Sequence, residues 1–143
     1  MTLFTKNSQF VDYTIALLKA HPELGLLDVF YGDQDFLPRN PAACVEPNRK
    51  AQQLKGAPRR TNVDLSVFVI LYISAISDTQ KNRRDADVLS EAVEVVLHLD
   101  AQCAQQVIHS LVTSNESGWA TKSGTPIRAS RLTFEATSQD QLP

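Results

Sequence analysis

Residues Asn62 to Ser74 read N-V-D-L-S-V-F-V-I-L-Y-I-S. A β-strand turns successive side chains to opposite faces, so the stretch divides in two. Val63, Leu65, Val67, Val69, Leu71 and Ile73 make one face, apolar throughout. Asp64, Ser66, Phe68, Ile70, Tyr72 and Ser74 make the other, polar at its start and apolar toward its end. A long strand of this kind needs a cover over its first face and invites a partner on its second.

Upstream of that strand, Asn7 or Ser8 is a good helix N-cap. Phe10, Tyr13 or Thr14, Leu17 and Leu18 follow at helical spacing, and Pro22 marks the end of the helix. D-V-F-Y at 28–31 reads as a short strand stopped by Gly32, and A-A-C-V-E at 42–46 as a second one closed by Pro47. The segment 47–61 lacks an apolar period and holds Gly56 and Pro58, which predicts a long basic loop at the tip of a wide hairpin. Downstream, residues 77–84 are polar and predict a turn. Asp85 to Leu99 predicts a second helix, with Val88, Leu89, Ala92, Val93, Val96 and Leu99 buried and Asp87, Glu91, Glu94 and His98 opposite. Asp85 and Asp87 in its first turn complement the helix dipole. V-I-H-S-L-V at 107–112 reads as a strand. The Ser/Thr/Gly-rich tract 113–126 reads as a loop or loose hairpin arm, Ile127 to Thr137 as the last strand, and the final residues as frayed. The order α-β-β-β-α-β-β predicts an α+β fold: a single, mostly antiparallel β-sheet with both amphipathic helices on one face.

A chain of 143 residues is one ordinary domain with a single core, here 1–143 with its basic loop at 47–61. The apolar run Val67–Ile73 is too short to cross a bilayer, so no membrane partner is expected. The opening residues lack a basic start followed by an apolar core, and predict no secretion signal. Cys44 and Cys103 make no disulfide framework and fit a reducing compartment as buried free thiols. Net charge is −2, unevenly spread. Arg49, Lys50, Lys55, Arg59 and Arg60 fall within 47–61 without an acid, and the rest of the chain sets nine of the 14 basic residues against all 16 acids. Such a segment is either a solvated loop or a patch that meets an anionic surface, including that of a second copy.

Residue chemistry points to no reaction. His21, His98 and His109 have no metal-ligand spacing to a Cys, His or carboxylate, and His98 pairs at best with Glu94 four residues earlier. There is no C-x-x-C, no G-x-S-x-G elbow and no phosphate-binding G-x-x-x-x-G-K. Cys103 with His109 as base is the only nucleophile pair to weigh, and nothing nearby in sequence lowers the thiol pKa. The carboxylate pairs Asp85/Asp87, Glu91/Glu94 and Asp33/Asp35 read as capping, solvated-face and loop charges. The basic segment has no interleaved aromatic residue and no nucleic-acid-binding signature, which leaves only contact without base recognition. Trp119, alone in a polar tract, is either a core plug or an interface anchor. No catalytic, metal or cofactor residues are expected.

Five segments carry a resemblance that covers most of the chain: A-L-L-K-A-H-P-E-L (16–24), P-A-A-C-V-E-P (41–47), V-D-L-S-V-F-V-I-L-Y (63–72), E-A-V-E-V-V-L-H-L (91–99) and R-A-S-R-L-T-F-E-A-T (128–137). In order, length and texture they resemble the tail-terminator and tail-completion proteins of tailed bacteriophages, the group that includes the minor tail protein U of lambdoid phages. The resemblance implies a structural virion protein without catalytic residues. It would assemble in the host cytoplasm as a homohexameric ring that caps the tail tube, ends its polymerisation and joins it to the head. The implied partners are further copies of the chain, the tail tube protein and a head–neck connector or stopper, with non-specific contact to DNA in the lumen. A closed ring needs two complementary patches on each protomer. The expected ones are the basic loop (Arg49, Lys50, Lys55, Arg59, Arg60) against the acidic helix face (Asp87, Glu91, Glu94). Phe68, Ile70 and Tyr72 would add a drier contact and Trp119 an anchor. The alternatives are a head–tail connector or stopper, a small enzyme or ligand-binding α+β domain, and a single-stranded-DNA-binding module.

Overall fold

A computed structural model of the chain describes residues 4, 6–54, 60–75, 79–122 and 124–141, with the backbone path alone for 49–54, 60–62, 74–75, 79–82 and 139–141. Helix α1 (Asn7–Lys19) and a 3-10 turn (Pro22–Leu24) precede strands β1 (Asp28–Tyr31), β2 (Ala42–Leu54) and β3 (Arg60–Ala75). Helix α2 (Thr79–Leu97) and strands β4 (His109–Lys122) and β5 (Thr125–Gln141) complete the chain. The sheet order is β1-β2-β3-β5-β4, with β1 parallel to β2 and every other pair antiparallel. This is the expected α+β arrangement. The strand that divides the sequence into two faces lies at the centre of the sheet.

The helices cover the face carrying the odd-numbered residues of β3. Val63 through Ile73 on that face join Ala43 and Val45 of β2, Leu132, Phe134 and Ala136 of β5, and Phe10, Val11, Val93 and Leu97 of the helices in one core. Phe10 and Phe134 are both fully buried, with ring centres 4.8 Å apart. Burial of apolar side chains of this size contributes about 1.5–3 kcal/mol each, which fixes the helices to this side.

α1 begins at Asn7, as its sequence predicts, but Lys6 rather than Asn7 or Ser8 occupies the cap position. Gln9 Oε1 accepts the Lys6 backbone N–H at 3.0 Å. Asn7 reaches the sheet instead: its Oδ1 accepts the backbone N–H of Ser66 at 3.2 Å. That donor sits beside the bulge between Pro47 and Arg49, where the β2–β3 register shifts. Proline has no N–H to give a ladder, so Pro47 does not end β2 but bends it.

β2 and β3 are longer than the sequence predicts. Arg49 to Leu54 pair in register with Ser66 to Thr61, and Arg60 to Asn62 pair with Gln141 to Gln139 on the other side. The expected basic loop is therefore mostly a β-arm, and the expected frayed end is mostly strand. Backbone pairing, on one side for 49–54 and on both sides for 61–62, holds these residues without any apolar period. Of the expected loop, 55–59 lie outside the described residues, as do 76–78 in the expected turn before α2; residues 79–84 are helix. The polar tract 113–126 resolves into the β4–β5 hairpin.

Candidate functional site

The second face of the sheet carries a small polar and apolar cluster under the chain's own connection between β1 and β2. Phe30, Leu37, Ile70 and Ala120 pack on buried Cys44, Tyr72, Ile127 and Ala129. The connection is tied down by Lys122 of β4. Its Nζ donates to Asp33 Oδ1 at 2.8 Å and to the Gln34 carbonyl at 2.6 Å, and lies 4.7 Å from the centre of the Tyr72 ring. The Tyr72 hydroxyl donates to the same Asp33 oxygen at 2.6 Å.

The electrostatics of this cluster tie the connection to the sheet as a latch. Burial opposes the Asp33 charge, but the hydrogen bonds from Lys122 and Tyr72 outweigh it and hold the carboxyl below its usual pKa. Burial first, then the hydrogen bond to Asp33 and its charge, raises the Tyr72 phenol. Burial likewise pushes the Cys44 thiol up to about 11, so it is not a nucleophile near neutrality. Tyr72, expected as part of a dry subunit contact, is 2% exposed beneath this latch and is withdrawn from the surface. Phe68 and Ile70 are half-buried, with the Arg131 guanidinium 4.7 Å from the Phe68 ring centre.

Cys103 lies in the helix-side core with Tyr13 beside it, and donates to Ser110 Oγ at 3.5 Å. Burial raises its pKa. His109 is exposed and precedes Ser110 on β4, so alternation points it to the opposite face. The pair does not meet. Among the described residues no group of three His, Cys, Asp or Glu side chains is arranged to hold a metal ion, and no helix is long and apolar enough to cross a membrane.

α2 is rotated relative to the expected face. Ala86, Ser90, Val93, Val96 and Leu97 are buried. Val88 and Leu99, expected inside, are exposed, as is Val95, at 59%, 61% and 63%. Val88 and Val95, two turns apart, share the outer side of α2, and Leu99 follows just past the end of the helix at Leu97. Val88 also lines a cleft of 390 Å³ between α2 and the 3-10 turn, with Leu24, Pro41, Ile73, Leu89 and Ala92 and the charged Glu23, Arg84 and Asp85. Asp87, Glu91 and Glu94 flank Val88 and Val95 on the other side, with Asp87 also held by Arg83 at 3.3 Å. His98 shares that flank, but it bonds to the sheet: its Nε2 accepts the Val112 N–H at 3.0 Å, beside the bulge in β4.

The remaining expected residues are scattered. Arg49, Lys50 and Arg60 lie on the β2–β3 arm, and Lys55 and Arg59 fall outside the described residues. Trp119 stands on β4, 47% exposed, with the Arg128 guanidinium 3.8 Å from its ring centre. Sequence spacing missed two things. The exposure of Val95 was hidden because apolar residues surround α2, and the Asp33–Lys122 contact joins positions 89 apart. No protein-family model matches the chain, and no curated protein is detectably similar to it.

Proposed function

We propose that this chain is a ring-forming tail terminator of a tailed-bacteriophage virion, capping the tail tube, ending its polymerisation and joining it to the head. The observation that carries this reading is the outer side of α2. Two exposed apolar side chains of the helix, Val88 and Val95, with exposed Leu99 just past its end, stand beside a mainly apolar cleft that Val88 lines, and acids run along the other flank. Contiguous exposed apolar surface rimmed by charge marks an interaction site. The occupant proposed for it is the β2–β3 arm of a second copy.

Charge complementarity supports that choice. Segment 47–61 holds five basic residues and no acid, on a chain whose remainder is acidic. The arm and the outer side of α2 are different surfaces. A contact between them is head-to-tail, and closes into a ring when the rotation allows it. The resemblance of the five sequence segments to tail terminators supplies the biological setting. Tail tube protein and a neck connector are then the neighbours above and below the ring.

Negative-stain imaging and native mass spectrometry of the purified chain test this. Rings are expected from the wild type, and Val95→Glu with Leu99→Glu is expected to leave a folded monomer. A wild-type chain that stays solitary at high concentration and does not cap tail tubes overturns the proposal.

A further inference from the structure

Two neighbouring cross-strand pairs of the β4–β5 hairpin carry a cluster unrelated to α2's outer side. Ser117 stands opposite Ser130, and Trp119 opposite Arg128. Ser130 pairs in turn with Leu71, whose side chain belongs to the helix-side core. By two-residue alternation all four side chains share that face of the sheet. Ser130 is 1% exposed and Arg128 6%. Ser117 Oγ, Ser130 Oγ and Arg128 Nε are buried and have no hydrogen-bond partner, and among the described residues no carboxylate pairs with Arg128.

The Arg128 guanidinium is a cation with five N–H donors and no acceptor. A buried charge needs a counter-charge or hydrogen bonds. The Trp119 ring answers part of the charge through its face but offers no acceptor. Native proteins leave few buried polar groups unpaired, and here three fall in two adjacent pairs. All three can donate. What is missing is an acceptor carrying negative charge. The donors project from two registers of a twisted hairpin, which suits a tetrahedral anion with acceptors on every side better than a planar carboxylate.

We propose that Ser117, Trp119, Arg128 and Ser130 form an oxyanion site that takes a phosphate-type group. The half-exposed Trp119 edge is its entrance. The site goes beyond the ring-forming reading and does not depend on it.

Trp119 is the only tryptophan in the chain, so its fluorescence reads the site directly. The full-length protein is titrated with inorganic phosphate, with sodium chloride at matched ionic strength as reference. A saturable change is expected with phosphate alone, and Arg128→Met, shown folded by circular dichroism, is expected to weaken it at least tenfold. A phosphate response equal to that of chloride, or unchanged affinity in folded Arg128→Met, overturns the proposal. Should Arg128→Met not fold, Ser117→Ala with Ser130→Ala decides by equilibrium dialysis: severalfold weaker phosphate binding supports the site, and unchanged binding overturns it.

Discussion

Asp33 receives two hydrogen bonds on one oxygen, from a lysine and a tyrosine distant in sequence. Its carboxyl pKa is depressed in the folded state, so the latch stabilises the fold above the unfolded aspartate value of about 3.9. That contribution is lost as pH falls through the depressed folded value. Urea titrations of wild type and Asp33→Asn across the acid range should show it: the wild type loses stability more steeply below about pH 4 than the variant does. A second residue-scale feature lies between α2 and β4. Cys103, Ala104 and Gln105 have φ of 49°, 57° and 65°, in the left-handed region that L-residues avoid. The Asp100 carboxylate holds the turn by accepting the backbone N–H groups of Gln102 and Ala104 at 3.0 and 2.8 Å. Ala104 is exposed, so its methyl contributes no packing. Ala104→Gly is expected to raise stability by about 1 kcal/mol, read as an upward shift of the urea midpoint at constant slope.

At the scale of elements, helix and sheet are joined by polar contacts as well as by the core. Asn7 opens α1 yet serves the Ser66 N–H beside the β2 bulge. Asn7→Ala is expected to cost about 1–2 kcal/mol by leaving that donor unpaired, and Asn7→Asp, which keeps an acceptor, to restore most of it. Equal stabilities for the two variants in chemical denaturation would show that the contact is idle. The identity of most elements was legible. Val63 to Ile73 alternate without a break, and a period of two is a local property of the chain. The facing of α2 was legible only in part: Val93 and Val96 are buried as expected and Leu89 and Ala92 pack against the core, but Val88 and Leu99 are exposed. Val88 and Val95 on one side compete with Ala86, Val93 and Leu97 on the other, and hydropathy alone does not choose between them. Packing chose the side whose smaller residues, Ala86 and Ser90, let the helix approach the sheet.

For the whole molecule, the uneven charge is the feature to test. If the basic arm of one copy meets the acidic flank of α2 on the next, reversing one partner should impair assembly and reversing both should recover it. Arg59→Glu with Arg60→Glu is expected to give monomers in native mass spectrometry. Adding Glu91→Lys and Glu94→Lys is expected to bring back oligomers. Failure of the combined variant, with each chain folded, would separate the arm from α2. Assembly through such charges should also weaken as salt rises, because exposed pairs are screened over about 8 Å at physiological ionic strength.

The sequence by itself determined the α+β class, the element order and the central strand with its two faces, because hydrophobic period and turn residues are local signals. It also placed the basic residues on one segment. Tertiary structure alone decided that this segment is largely a paired arm, that Tyr72 lies beneath a latch, and that Val88, Val95 and Leu99 face outward while Arg128 lies buried beside two serines. Each of these depends on which distant backbone or side chain arrives at a given position. A strand without apolar period is held only by its neighbours, and a side chain is buried only by what packs over it.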